Sequence, residues 1–196
     1  MKKQTRNLRI IVVMTGLCLG ILGCSTTLKS QSEKNTARDS VRAMTEQSLD
    51  QLYREEPAAR NAVANATGYA VFSDLGFKAM FLGGAHGKGM AVNNTTKQET
   101  FMKMSEFLPG LGVGVEKYRL VLIFENPDAF HKFVTSGWEF GADAVAAAKD
   151  NKGEGVGIAG VMTFKNGVKM YQLSDTGVIV GVSITGAKYH KDDELN

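Results

Sequence analysis

Cys24 is the residue of this chain with the clearest chemistry open to it. It follows Ile21-Leu22-Gly23 at the end of an uncharged run from Ile10 to Leu22. A thiol directly behind a small residue in that setting is either a candidate for covalent modification or an incidental cysteine after an ordinary signal peptide. Other reactive groups are few. The histidines are His86, His131 and His190, and none has a cysteine, histidine or carboxylate at metal-ligand spacing. No serine sits in a nucleophile-elbow context. The contiguous pairs Glu55-Glu56 and Asp192-Asp193 read as solvated acids. Cys18 falls inside the apolar run, so once Cys24 is modified no thiol is left for a disulfide, a metal or a nucleophile. These residues argue against an enzyme and imply no cofactor and no metal.

Two further segments carry chemical interest. Gly83-Gly84-Ala85-His86-Gly87-Lys88-Gly89 offers backbone N–H groups and one lysine, the means of holding an anion. No Ser or Thr follows Lys88 and no helical stretch follows Gly89, so no nucleotide pattern is met. A tightly packed strand is the default, and a contact for a lipid phosphate is the other option. Thr100 to Pro109 holds Phe101, Met102, Met104, Phe107 and Leu108 in one short stretch, with Lys97 and Lys103 nearby. Read as a loop, its tip would either insert into acyl chains or fold back over the mouth of a barrel.

The leader fixes how composition is read. Lys2, Lys3, Arg6 and Arg9 precede an apolar stretch of 13 residues, too short for a bilayer that needs about 20. It is therefore expected to be a cleaved secretion signal over 1–23. The Leu-Gly-Cys ending resembles the lipobox of bacterial lipoproteins, in which the thiol carries palmitate or a related acyl group. Ser25, in place of an aspartate, gives the outer membrane as the expected address, with the domain facing the periplasm. The four basic residues leave with the leader, so 23 Lys and Arg become 19 against 20 Asp and Glu. A formal charge of +3 becomes −1, and no nucleic-acid footprint is supported.

The elements that would position these groups follow from spacing. Residues 24–35 read as an acylated cysteine and polar tether, and 36–196 as one domain. Val41, Met44, Leu49, Leu52 and Tyr53 recur near helical spacing and predict an amphipathic helix over about 36–55. Its stripe would pack on the core or lie on a membrane surface. Pro57 ends it and opens a short helix over 58–65. Every glycine beyond the leader falls in 68–196. In 79–91, 110–124, 155–162 and 177–184 small residues and larger apolar ones alternate, which predicts strands. A glycine face weakens a strand unless something approaches it closely. The expected fold class is therefore α+β: a strongly curved antiparallel sheet or small barrel, with a helix or strand pressed on its small-residue side. Asn126-Pro127-Asp128 starts a helix that Gly137 stops. Asn166-Gly167 predicts a type I′ hairpin turn. His131 reads as a surface residue, His190 as part of a charged tail, and Lys191 to Asn196 as a solvated end. Propensity makes 142–148 helical.

Five pieces in order, from about Ala66 to Tyr189, resemble the SYLF domain family. They are Thr67-Gly68-Tyr69-Ala70-Val71-Phe72, the Gly83–Gly89 segment, Gly110-Leu111-Gly112-Val113-Gly114-Val115-Glu116, Gly141-Ala142-Asp143-Ala144, and Thr176-Gly177-Val178-Ile179-Val180-Gly181-Val182-Ser183. The resemblance implies a strand at 142–148 against propensity, and a lipid-binding module. Eukaryotic members of the family bind phosphoinositides and some bind actin, whereas the sparse cations here argue against a strongly polyanionic headgroup. Membrane phospholipids are the expected partner. Lys78, Lys88, Lys97 and Lys103 would meet headgroups, and Phe101, Met102, Met104, Phe107 and Leu108 acyl chains. The alternative is a structural envelope protein that docks another protein through the 36–55 helix or the 100–109 loop.

Overall fold

The computed structural model describes residues 30–80, 82–107, 112–140, 161–164, 166–174, 177–178 and 187–196. Gln31 to Asn196 form one compact unit. Residues 1–23, Cys24 and the 142–148 segment, with 110–111, 155–160 and 179–184 of the expected strands, lie outside the described residues.

Four long strands make the centre of the sheet: β1 (Gly68–Met80), β2 (Leu82–Asn93), β3 (Glu99–Phe107) and β4 (Gly112–Phe124). Shorter strands β5 (Trp138–Phe140), β6 (Val161–Phe164), β7 (Val168–Ser174), β8 (Gly177–Val178) and β9 (Ala187–Lys191) complete it. The order is β5-β9-β3-β2-β1-β4-β7-β6, with β8 also on β7, and every pairing is antiparallel. The sheet is curled into a half-barrel, and the fold is α+β as expected. Helix α1 (Gln31–Glu55) and α2 (Ala58–Asn65) cover one face, and α3 (Pro127–Ser136) packs on the other.

Alternation sorts the side chains between these faces. Ala70, Phe72, Met102, Met104, Leu120, Leu122, Phe124 and Met170 point toward Phe130 and Phe133 of α3. Val71, Val121, Ile123, Tyr171 and Leu173 point toward Leu52 of α1 and Ala59 and Val63 of α2. The small residues of β1 and β2 lie on the α3 face, as the glycine pattern requires. A Cβ at Gly68 would stand 2.5 Å from the Phe130 ring, and one at Gly89 would meet the Val71 carbonyl and stand 2.5 Å from the Phe72 ring. Phe72 in turn packs edge-on to Tyr189 with centroids 4.9 Å apart, and Phe124 lies 4.8 Å from Phe133. The glycines are there because aromatic rings occupy the space their side chains would take.

Helix α3 begins as its sequence dictates. The Asn126 side chain accepts from the Asp128 and Ala129 N–H groups, Pro127 occupies the first turn, and Gly137 closes the helix at φ 75°. The stripe on α1 does pack on the core: Val41 and Leu52 are buried, and Met44, Leu49 and Tyr53 are partly so.

Five readings are corrected. Helix α1 starts at Gln31, so 31–35 are helical and not tether. The alternating run over 79–91 is not one strand: β1 ends at Met80, and Ala79 pairs with Leu82 across a hairpin. Phe164 pairs with Val168, leaving three residues between them, and Asn166 is not at positive φ, so the turn is not a two-residue type I′. The stretch 100–109 is no loop; most of it is β3, between β2 and β9. The C-terminal end is not solvated throughout. His190 lies exposed in β9, Asp192 and Leu195 are 2 % exposed, and the Asn196 side chain donates to the Phe101 carbonyl and accepts from its N–H.

Gly89→Ala is expected to destabilise the domain by about 2–3 kcal/mol, because its Cβ meets backbone and ring together. Gly84→Ala, whose Cβ would sit 3.5 Å from the Glu106 carbonyl oxygen, is expected to stay within about 1 kcal/mol of the parent. Urea unfolding midpoints of the two variants check the contrast.

Candidate functional site

Helix α1 lies on its sheet face like a strap fixed near its ends. Its buried residues are Val41, Thr45, Ser48, Gln51 and Leu52, and three of those five are polar. The Thr45 and Ser48 hydroxyls donate back to the Val41 and Met44 carbonyls, so they ask nothing of the sheet. Gln51 does the bridging. Its amide nitrogen donates to the Ser174 carbonyl at 2.7 Å, and its oxygen accepts from Arg119 at 2.8 Å. Toward the other end, Arg42 grips Glu99 of β3 through two nitrogens at 3.0 and 2.8 Å and also reaches Asp39. The hydrogen bonds that Arg42 donates to the Glu99 carboxylate raise the Arg42 pKa and keep the guanidinium charged. Arg38 donates to the Leu195 carbonyl at 2.7 Å.

Beside the N-terminal of these fixings, at Arg38 and Arg42, a cleft of about 670 Å³ opens. Ala37, Ser40, Val41 and Met44 of α1 form one wall; Ser73, His86, Lys88, Lys117, Arg119 and Leu173 belong to the sheet. Register explains why the polar groups converge. Ser73 of β1 stands opposite Lys88 on one side and Arg119 on the other, and Leu75 stands opposite both His86 and Lys117. Two successive rungs therefore bring Lys88, Arg119, His86 and Lys117 to one face. Among the described residues none of the three cations has an ion-pair partner; Arg119 meets only the neutral Gln51 amide. Nearby phenols add no charge. Burial pushes the Tyr53, Tyr69 and Tyr171 hydroxyls above their ordinary pKa, so they stay protonated.

The expected lipid contacts are scattered by this geometry. Lys88 lines the cleft. Lys97 is exposed in the β2–β3 turn at φ 59°. Lys103 is held in an ion pair at 3.0 Å with buried Asp192. Phe101, Met102 and Met104 are 5 %, 1 % and 1 % exposed in β3, so the structure makes them core residues and not an exposed apolar tip. The Lys78 and Phe107 side chains, and Leu108, lie outside the described residues. Lys117 and Arg119 were not singled out from the sequence. Their shared parity with Val121 and Ile123 was the available signal, but only the β1–β4 register sets them beside Lys88.

A curled antiparallel sheet with helices on both faces and a cationic cleft beneath one of them is the frame of a binding module. Residues 105–196 match the family described as Ysc84, Las17-binding protein actin regulator, and the chain is thereby shown to carry a domain of the SYLF family. It is also similar to a protein named Beta cell expansion factor A from Aeromonas veronii, 33 % identical over 159 residues. That alignment takes in 81 % of this chain and 59 % of the relative, so the chain spans under two thirds of the relative's length. Neither description is that of an enzyme.

Gln51→Ala is expected to cost about 1–3 kcal/mol and to speed amide exchange in α1 more than in β1 and β4, because it removes the amide that donates to the part-buried Ser174 carbonyl and accepts from Arg119. Arg42→Ala, half-exposed, is expected to cost under about 1 kcal/mol. Denaturant unfolding with hydrogen exchange read by mass spectrometry checks both.

Proposed function

We propose that this chain is an outer-membrane lipoprotein, acylated at Cys24, whose SYLF domain binds phospholipid from the periplasmic side and performs no catalysis. The observation that carries the reading is the group Lys88, Lys117 and Arg119, three cations without carboxylate partners among the described residues, beside an apolar helix wall. Such a surface suits an anionic headgroup over acyl carbon. Because α1 begins at Gln31, six residues, 25–30, separate the anchor cysteine from the domain. Fully extended they reach roughly 20–25 Å. The anchor, at ~0.8 kcal/mol per buried methylene, would hold the domain at a high effective lipid concentration. Weak contact at the cleft is then enough.

A second reading, a docking protein of the envelope, is favoured by the family description, which names a protein partner for its members. In-cell crosslinking from an α1 position separates the two: one dominant protein adduct supports docking, and lipid adducts support the first reading.

Cys24→Ser is expected to abolish palmitate labelling and to move the protein out of the membrane fraction. The same variant, floated with vesicles containing phosphatidylglycerol, is expected to bind them and to lose most of that binding at 0.5 M salt, where the Debye length is a few ångströms (~4 Å). Lys88→Glu with Lys117→Glu is expected to lower vesicle binding about tenfold. Unchanged flotation of that double variant would reject the cationic face as the membrane contact.

A further inference from the structure

The cleft is walled on one side by a helix, so Lys88 and Lys117, both exposed, can face a bilayer surface while the space against the helix is of a size for one molecule. Its volume of about 670 Å³ falls within the range that holds one drug-sized ligand, ~300–1,000 Å³. Its two walls differ in kind. Val41 and Met44 present carbon, and Lys88, Lys117 and Arg119 present positive charge. Arg119 is the best placed of the cations, because Gln51 fixes its guanidinium at 2.8 Å through one nitrogen and no carboxylate pairs with it among the described residues. A ligand that satisfies both walls has an anionic head and a single apolar chain.

We propose that this cleft is a binding site for one molecule of a single-chain, anion-headed amphiphile, with a carboxylate or phosphate head on Lys88, Lys117 and Arg119 and its chain along Val41 and Met44. This rests on the reading that the domain engages lipid, and it adds that the lipid is taken as a monomer, out of the bilayer. Helix α1 is the wall that makes this possible. Arg38 and Arg42 hold the stretch of the helix that carries the cleft wall, and Gln51 holds it further on, so a chain can lie along Val41 and Met44 without the helix leaving the sheet.

The test uses the full chain carrying Cys24→Ser and titration calorimetry below the micelle concentration of each probe. Decanoate and dodecyl phosphate are the anionic amphiphiles, dodecanol lacks the charge, and inorganic phosphate lacks the chain. One-to-one saturable binding of both amphiphiles is expected, at least about tenfold weaker for dodecanol and for phosphate. Lys88→Gln with Lys117→Gln is expected to weaken it about tenfold or more. Ser40→Trp, on an exposed helix position at the rim, is expected to block it while circular dichroism stays unchanged. Equal affinity for phosphate and dodecyl phosphate would make this a site for a free anion and overturn the proposal, as would Ser40→Trp binding like the parent. Vesicle flotation without monomer binding would overturn the cleft as a monomer site and leave the membrane reading standing. Loss of both would overturn both.

Discussion

The fit of aromatic rings against a side-chain-free stretch of β1 and β2 is the constraint on which the fold depends. Phe130 approaches the backbone at Gly68, and Phe72 covers Gly89, because nothing stands at either Cβ position. Close-packed interiors leave no slack for an added methyl where backbone and ring already touch. The same rings link distant parts of the chain: Phe72 to Tyr189 of β9, Phe124 to Phe133 of α3, and Trp138 of β5 to Phe164 of β6. The two edges of the described sheet are thus held through one aromatic cluster on the α3 face. That settles the α3 face and leaves the opposite face to do other work.

The opposite face is built on different terms. Where α3 contributes rings, α1 contributes Thr45, Ser48 and Gln51. Two of these satisfy themselves within the helix, so they add neither apolar burial nor a bond to the sheet. Attachment therefore rests on the buried Val41 and Leu52, on Gln51 and on the Arg42–Glu99 pair. The helix wall of the cleft, Ala37, Ser40, Val41 and Met44, lies on the N-terminal side of the polar stripe.

Much of this was legible in the sequence, and the failures have physical causes. Period-two glycine patterns named β2 and β4, and the need to fill the glycine face called for a helix or a strand; α3 supplies it. Asn126-Pro127 fixed where that helix starts. Pairing was harder, since alternation carries no record of where a run turns back. The break after Met80 falls inside an unbroken alternating run and was missed. Phe101, Met102 and Met104 showed a composition suited to a membrane-inserting tip and equally suited to a strand buried on both faces; β3 has helix α1 on one side and the aromatic cluster on the other. The cleft was the least legible part. Lys88, Lys117 and Arg119 lie on two strands that meet only through β1, and no local spacing records that.

The placement of charge along β3 sharpens the case for the cleft. Lys88 and Lys103 stand directly opposite each other across β2 and β3, an arrangement that costs stability when both charges are left bare. The fold neutralises one of them: Asp192, 2 % exposed, takes Lys103 at 3.0 Å, and the chain around it turns back onto Phe101 through Asn196 and Leu195. A carboxylate placed one strand over would have served Lys88 equally well, and the described residues hold none there. Lys88 thus stands without a carboxylate partner among the described residues, on a face that also holds Arg119 and Lys117, and like charges gathered in this way favour an anion. The terminal turn that pairs Lys103 leaves these three as the cations of that face that line the cleft.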